Sequence, residues 1–140
     1  MKYMLIMRAT AEAIEASQSI PMDEMIATMG RYNEQLIEAG VMVDGDGLAP
    51  ADEGFIVDFS TQPPIVTDGP YGPAESLFNG FWMLNVKSAD EARDWAMRCP
   101  LGPGSKLEVR RVPGIDEFPA DNEWVQKEKE WIERDERDSP

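Results

Sequence analysis

The sequence predicts an α+β domain in which two amphipathic helices cover one face of an antiparallel sheet. Three observations carry that expectation. Residues 2–9 and 80–87 read as strands that are apolar on both faces. Met22, Met25, Ile26, Met29, Leu36 and Ile37 recur at helical spacing with Tyr32 beside them. Ser88 followed by Glu91 is a capping signature ahead of a second helical run.

In the first strand, Tyr3, Leu5 and Met7 point one way and Met4 and Ile6 the other. The run is too short for a signal peptide, and no small-residue cleavage site follows it. Pro21 sits like a first helical residue, with Asp23 and Glu24 in the first turn where the helix dipole favours carboxylates. Gly40 closes this helix. Val41 to Pro50 reads as a Gly- and Asp-rich connection, and Phe55 to Phe59 as the second strand. Gln62-Pro63-Pro64 turns the chain into a short third strand, Ile65-Val66-Thr67, which stops at Asp68-Gly69-Pro70. The fourth strand is 80–87. In the second helix Ala92, Trp95, Ala96 and Cys99 share one face, and Pro100 ends it. A fifth strand runs from Lys106 to Val112, so the order is β-α-β-β-β-α-β. Strands apolar on both sides must be covered on both sides. A chain of 140 residues has no helices to spare for that, so the pattern predicts a homodimer joined through the sheet.

Residues 1–112 form the predicted domain. Residues 113–140 are a polar, Pro-bearing connector and a charged helix, with Trp124, Val125, Trp131 and Ile132 as a narrow apolar stripe. That stripe reads either as a helix laid on the protein's own surface or that of its dimer partner, or as a docking arm for another protein.

Composition bounds the function. A hydrophobic fraction of 42 % suits a globular domain, and no apolar run approaches the roughly 20 residues of a membrane span. The single cysteine excludes an internal disulfide and points to a cytoplasmic location. A net charge of −14 argues against nucleic acid and against an anionic membrane surface.

Several fragments resemble a known family in chain order: Lys2-Tyr3-Met4-Leu5, Glu38-Ala39-Gly40-Val41, Gly45-Asp46-Gly47-Leu48, Val66-Thr67-Asp68-Gly69-Pro70-Tyr71, Gly80-Phe81-Trp82 and Ala96-Met97-Arg98-Cys99-Pro100. Together they resemble the DGPF branch of the YCII-related superfamily over residues 1–112. The resemblance implies a ferredoxin-like β-α-β-β-α-β sandwich that pairs into a dimeric α+β barrel, here with an added C-terminal helix. It also implies an accessory or regulatory role, with a protein partner in transcriptional signalling, because several such proteins are encoded beside alternative sigma factors. Some YCII relatives are enzymes with a His–Asp pair. This chain has no histidine, so that pair is not carried over. The chain also departs from the family within the signature, with Tyr71 in place of Phe and Gly72-Pro73-Ala74-Glu75-Ser76 after it; Glu75 keeps an acidic position.

Without histidine, acid–base chemistry at neutral pH falls to other groups. Asp68 is the catalytic candidate, held at a strand end by the Gly69-Pro70 turn; the alternative is an Asp that satisfies turn amides. Tyr71 and Trp82 are expected to wall an apolar pocket, with Tyr32 and Glu75 as further members and Arg8 as the fork that clamps an anion. For Trp82 and Tyr32 the alternative is ordinary core. No metal or cofactor site is expected. Asp44-Gly45-Asp46-Gly47 begins like a calcium loop but has Leu48 and Phe55 where that loop needs carboxylates, and zinc would lack ligands. Cys99 has no His to activate it. The function expected is a non-catalytic small-molecule-binding or regulatory dimer. The alternative is a cofactor-free lyase or isomerase for a small anionic or aromatic metabolite, using Asp68.

Overall fold

The computed structural model describes residues 1–138. In chain order the elements are β1 (Lys2–Arg8), α1 (Ala11–Ser17), α2 (Met22–Glu38), β2 (Met42–Gly47), β3 (Phe55–Asp58), β4 (Ile65–Asp68), β5 (Phe78–Asn85), α3 (Ala89–Met97), β6 (Lys106–Val112) and α4 (Glu123–Asp138). The main sheet is antiparallel in the order β2-β5-β1-β6. With α2 after β1 and α3 after β5, this is the β-α-β-β-α-β order of a ferredoxin-like sandwich, followed by a C-terminal helix.

The strand register shows why the sheet has two apolar faces. Tyr3 lies opposite Leu84 and Leu5 opposite Trp82, pointing toward the helices. There they meet Tyr32 and Leu36 of α2 and Ala92 and Trp95 of α3 in one core. Leu5, Leu36 and Leu84 are fully buried; truncating any one to Ala costs about 2–5 kcal/mol. On the opposite face Met4 lies across from Met83, and Ile6 across from Phe81.

Local signals explain the helix limits. Pro21 is the cap rather than the first turn of α2, which begins at Met22. At the other end Gly40 takes a φ of +73°, and the Val41 N–H reaches the Leu36 carbonyl at 3.0 Å while the Gly40 N–H reaches Ile37 at 3.0 Å. These two bonds form the Schellman closure that a glycine permits. Ser88 Oγ accepts from the Glu91 N–H at 3.1 Å, and Glu91 reaches back to the Lys87 N–H at 2.8 Å, one residue before the expected cap amide.

Three expectations are corrected. Val41 to Pro50 contains the edge strand β2, which pairs with β5. Its Asp and Gly residues hide it from a propensity reading. Gly45 fits closely there: a Cβ would sit 3.2 Å from the Trp82 ring and 3.1 Å from the Phe81 carbonyl, so these neighbours would have to give by a few tenths of an ångström. The strand expected at 55–59 and the one at 65–67 do not enter the main sheet. They pair only with each other, as a separate hairpin between β2 and β5 whose turn contains a cis Gln62–Pro63 peptide. Finally, the seven-residue helix α1 has no counterpart in the sequence reading. Thr10 starts it, its side chain accepting from the Ala13 N–H at 3.0 Å.

The charged tail is helical, and Glu123 and Lys127 form an i,i+4 pair along it at 3.1 Å. Trp124, Trp131 and Ile132 remain exposed along it. Among the described residues no helix is long and apolar enough to cross a membrane.

Candidate functional site

Two cavities meet at the C-terminal end of β1, where Arg8 and Ala9 wall both of them. The first, about 520 Å³, lies between α1, α2 and the turn at 100–105. Its lining is mainly apolar, with Met7, Ile14, Ile20, Met25, Met29 and Leu101; Arg8, Glu24, Thr28 and Asn79 are among its polar groups. That size and mixture suit a small organic molecule. The second, about 710 Å³, is a polar cleft lined by Arg8, Thr10, Glu12, Glu75, Ser76 and Lys106.

The architecture of this corner rests on Thr10 and Gly104. Besides capping α1, Thr10 donates its hydroxyl to the Gly104 carbonyl at 2.7 Å, tying the helix to the far turn. Gly104 has a φ of +82°, and a Cβ there would collide with the Glu12 side chain. A side chain at this position would therefore strain the backbone and displace the Glu12 carboxylate in the polar cleft.

Arg8 is held from two sides. Nε and Nη2 donate to Glu108 Oε1 at 3.1 and 2.9 Å, and Nη1 reaches the Ser76 carbonyl at 3.4 Å. Its remaining N–H groups have no partner among the described residues, so the fork is oriented yet still able to bind an acceptor. Both side chains of the pair keep about a third of their surface in solvent, 35 % for Arg8 and 37 % for Glu108. Solvent therefore screens the pair, and its main effect is orientation.

The residues singled out from the sequence fall in four places. Arg8 and Glu75 line the polar cleft together. Tyr71, 76 % exposed, lines a third hollow of about 490 Å³ at the base of the hairpin, with Phe55, Leu77 and Phe78. Asp68 is an exposed residue of β4 opposite Phe55 and lines none of these three cavities. Tyr32 and Trp82 belong to the core and line none of the three either. Their rings meet edge to face at 5.4 Å. The Tyr32 hydroxyl donates to the Trp95 carbonyl at 2.7 Å, and Trp82 Nε1 donates to Asn33 Oδ1 at 2.8 Å. Their polar tips are thus satisfied inside the protein.

Burial sets the ionisation of the groups beneath α2. The Tyr32 hydroxyl is pushed well above its ordinary value, chiefly by desolvation. Desolvation likewise pushes the Cys99 thiol up to about 12, which leaves it a neutral, unreactive group at physiological pH. Neither group is poised for proton transfer near neutrality.

The apolar cavity is what sequence reasoning missed. Its only hint was the Met-rich face of α2, which reads equally well as core: Met25 and Met29 line the space, while Met22 lies outside at 70 % exposure. The missing wall is α1, which had not been anticipated.

Comparison with known proteins adds three findings. Among curated proteins, none matches the chain. The solved structure of 5-chloro-2-hydroxyhydroquinone dehydrochlorinase (TftG) from Burkholderia phenoliruptrix AC1100, in complex with 2,5-dihydroxybenzoquinone, is similar at a TM-score of 0.45 and 14 % identity, over 81 % of this chain and 96 % of that one. The model of the YCII-related domain matches residues 1–115, most of the chain, and the protein therefore belongs to the YCII-related domain family.

Proposed function

We propose that this YCII-related protein is a homodimer that binds a small molecule without transforming it, in a regulatory capacity. The observation that carries the reading is the apolar cavity of about 520 Å³ with Arg8 at its wall. The ligand it suits has an apolar body for Met25, Met29 and Ile14, and an acidic or carbonyl group for the unused donors of Arg8. Glu75 and Lys106, across Arg8 in the polar cleft, favour a second polar end on that side.

Support for a binding role over a catalytic one comes from the ionisable groups. The chain has no histidine, Asp68 stands on the hairpin outside the three cavities, and Tyr32 and Cys99 are held neutral by burial. Support for the dimer comes from the second sheet face, where the half-buried Met4, Phe81 and Met83 lie beside the buried Ile6, on the side opposite the core. A matching face from a second copy buries this surface isologously.

The test is a thermal-shift screen of the intact protein against a small-molecule library, with Ala13→Trp in parallel. Ala13 lines the apolar cavity, and an indole there fills it. A ligand that binds the native state raises the transition by mass action. The expected result is stabilisation of the wild type by one chemical class and none of the variant. Equal stabilisation of both proteins would move the ligand out of this cavity, and turnover of the stabilising compound would overturn the non-catalytic reading.

A further inference from the structure

The hairpin β3–β4 leaves the apolar side chains of Phe55, Val57, Ile65 and Val66 exposed. It makes no ladder to the main sheet, and an isolated two-stranded hairpin is only marginally stable in water. Phe55 lies opposite Asp68 and Val57 opposite Val66, so these four side chains share one face. Phe55 is 64 % exposed and Val66 59 %. On that face Asp68 is the single charge. The hairpin lies within an acidic tract: between Arg31 and Lys87 there are nine carboxylates and no Lys or Arg.

The opposite charge occurs on the outer face of the main sheet. Lys2 and Arg8 share that face with their β6 partners Val112 and Lys106, and Arg110 lies opposite Met4. Arg8 is paired with Glu108, whereas Lys2, Lys106 and Arg110 are exposed and make no ion pair among the described residues. In a chain of net charge −14, three unpaired bases border a surface on which Met4 is half-buried and Ile6 already buried. The β2 side of the same face carries Asp44 and Asp46, opposite Met83 and Phe81. Along the sheet, the outer face therefore runs from acidic at β2 to basic at β1 and β6.

We infer that the hairpin is an exchange arm: Phe55, Val57, Val66 and Asp68 of each copy dock at the basic β6 side of the outer face of a second copy. This rests on the dimer proposed above. The sheet order places β2 and β6 at opposite edges. A two-fold that stacks the outer faces with strand order reversed sets the acidic side of each copy, with its hairpin, against the basic side of the other. The contact forms twice, Asp68 meeting the Lys2–Arg110 cluster each time. Asp68 then has a role in assembly, where the sequence had suggested chemistry.

The test is a subunit-mixing experiment read by native mass spectrometry. Asp68→Lys sets its own arm against an intact basic face, and Arg110→Asp sets an intact arm against an acidic one. Both homodimers are mismatched, with dissociation at least tenfold easier than in the wild type. In the mixed dimer, both arms meet the opposite charge. The expected result is a heterodimer well above the statistical half of the dimers. Mixing Asp90→Lys, an exposed charge reversal on α3, with Arg110→Asp controls for net charge and gives statistical proportions. Statistical proportions for the Asp68 mixture would overturn the exchange arm while leaving the dimer standing. A monomeric wild type would overturn both. Val66→Asp, which buries a carboxylate under the same docked face, is expected to weaken the dimer tenfold or more with its circular dichroism unchanged; an unaltered dimer would count against the arm.

Discussion

Replacing Tyr32 with Phe separates a core role from a binding role at the most buried tyrosine of the chain. The side chain is 3 % exposed, and its ring packs edge to face against Trp82 at 5.4 Å and Trp95 at 6.5 Å. Phe keeps both ring contacts and loses only the hydroxyl, which donates to the Trp95 carbonyl at 2.7 Å. That carbonyl is not orphaned, because the Arg98 N–H also reaches it at 3.2 Å. The loss is therefore that of one net hydrogen bond, about 1 kcal/mol, without the further penalty of a stranded acceptor. With a urea m-value near 2 kcal/mol/M, the midpoint falls by about half a molar. Tyr32→Ala removes both ring pairs as well and costs about 3–5 kcal/mol. Urea unfolding followed by tryptophan fluorescence measures both. A Tyr32→Phe protein with an unchanged midpoint that no longer binds the ligand would refute the reasoning, since the hydroxyl would then be serving a site.

Other outcomes follow from the same structure. Tyr32 and Cys99 both have raised pKa values in the fold, so the native state binds more protons than the unfolded chain at high pH. Their stabilisation is fully present below the thiol's ordinary value near 9 and is lost as pH rises through that value toward about 12; denaturant midpoints at pH 8, 9 and 10 should decline in that order. Cys99 should react with a thiol reagent far more slowly in native protein than in urea, and equal rates would contradict its burial. Glu117 is lowered to about 2 by Arg111, which it meets at 2.6 Å, and by the Gly114 N–H. Its contribution is present above the ordinary value of 4.5 and is lost as pH falls through about 2, which carboxyl NMR titration can follow. Gly80→Ala should destabilise by about 1–3 kcal/mol through overpacking, because a Cβ would strike Met7 and come within 3.0 Å of the Asp46 carbonyl; a neutral effect in chemical denaturation would show that β2 can yield there.

The parts of the fold that were legible in the sequence are those where local chemistry and packing agree. The inner strands β1 and β5 carry apolar residues on both faces, a run that reads directly as strand, and α3 is announced by Ser88 and Glu91. β2 was hidden because it pairs with a strand distant in sequence, Gly45 lying opposite Trp82 nearly forty positions away, and no local propensity records that. The hairpin misled for the opposite reason. Phe55 and Val57 alternate as an ordinary strand does, and alternation does not say which sheet a strand joins. At the candidate site, Arg8 and Glu75 could be paired from the sequence only as suggestions, and the cleft brings them together. The apolar cavity could not be foreseen, because it is the space left between α1 and α2, and periodicity reports faces but not gaps.

The most direct test of the binding claim uses the protein's nine methionines as reporters. Met7, Met25 and Met29 line the apolar cavity, while Met22 and Met97 lie outside it, 70 % and 79 % exposed. In a spectrum of ¹³C-methyl-labelled methionine, adding the stabilising compound is predicted to move the signals of Met7, Met25 and Met29 and to leave Met22 and Met97 in place. Shifts confined to Met4 and Met83, on the far face of the sheet, would contradict the account and place the ligand at the proposed dimer face instead.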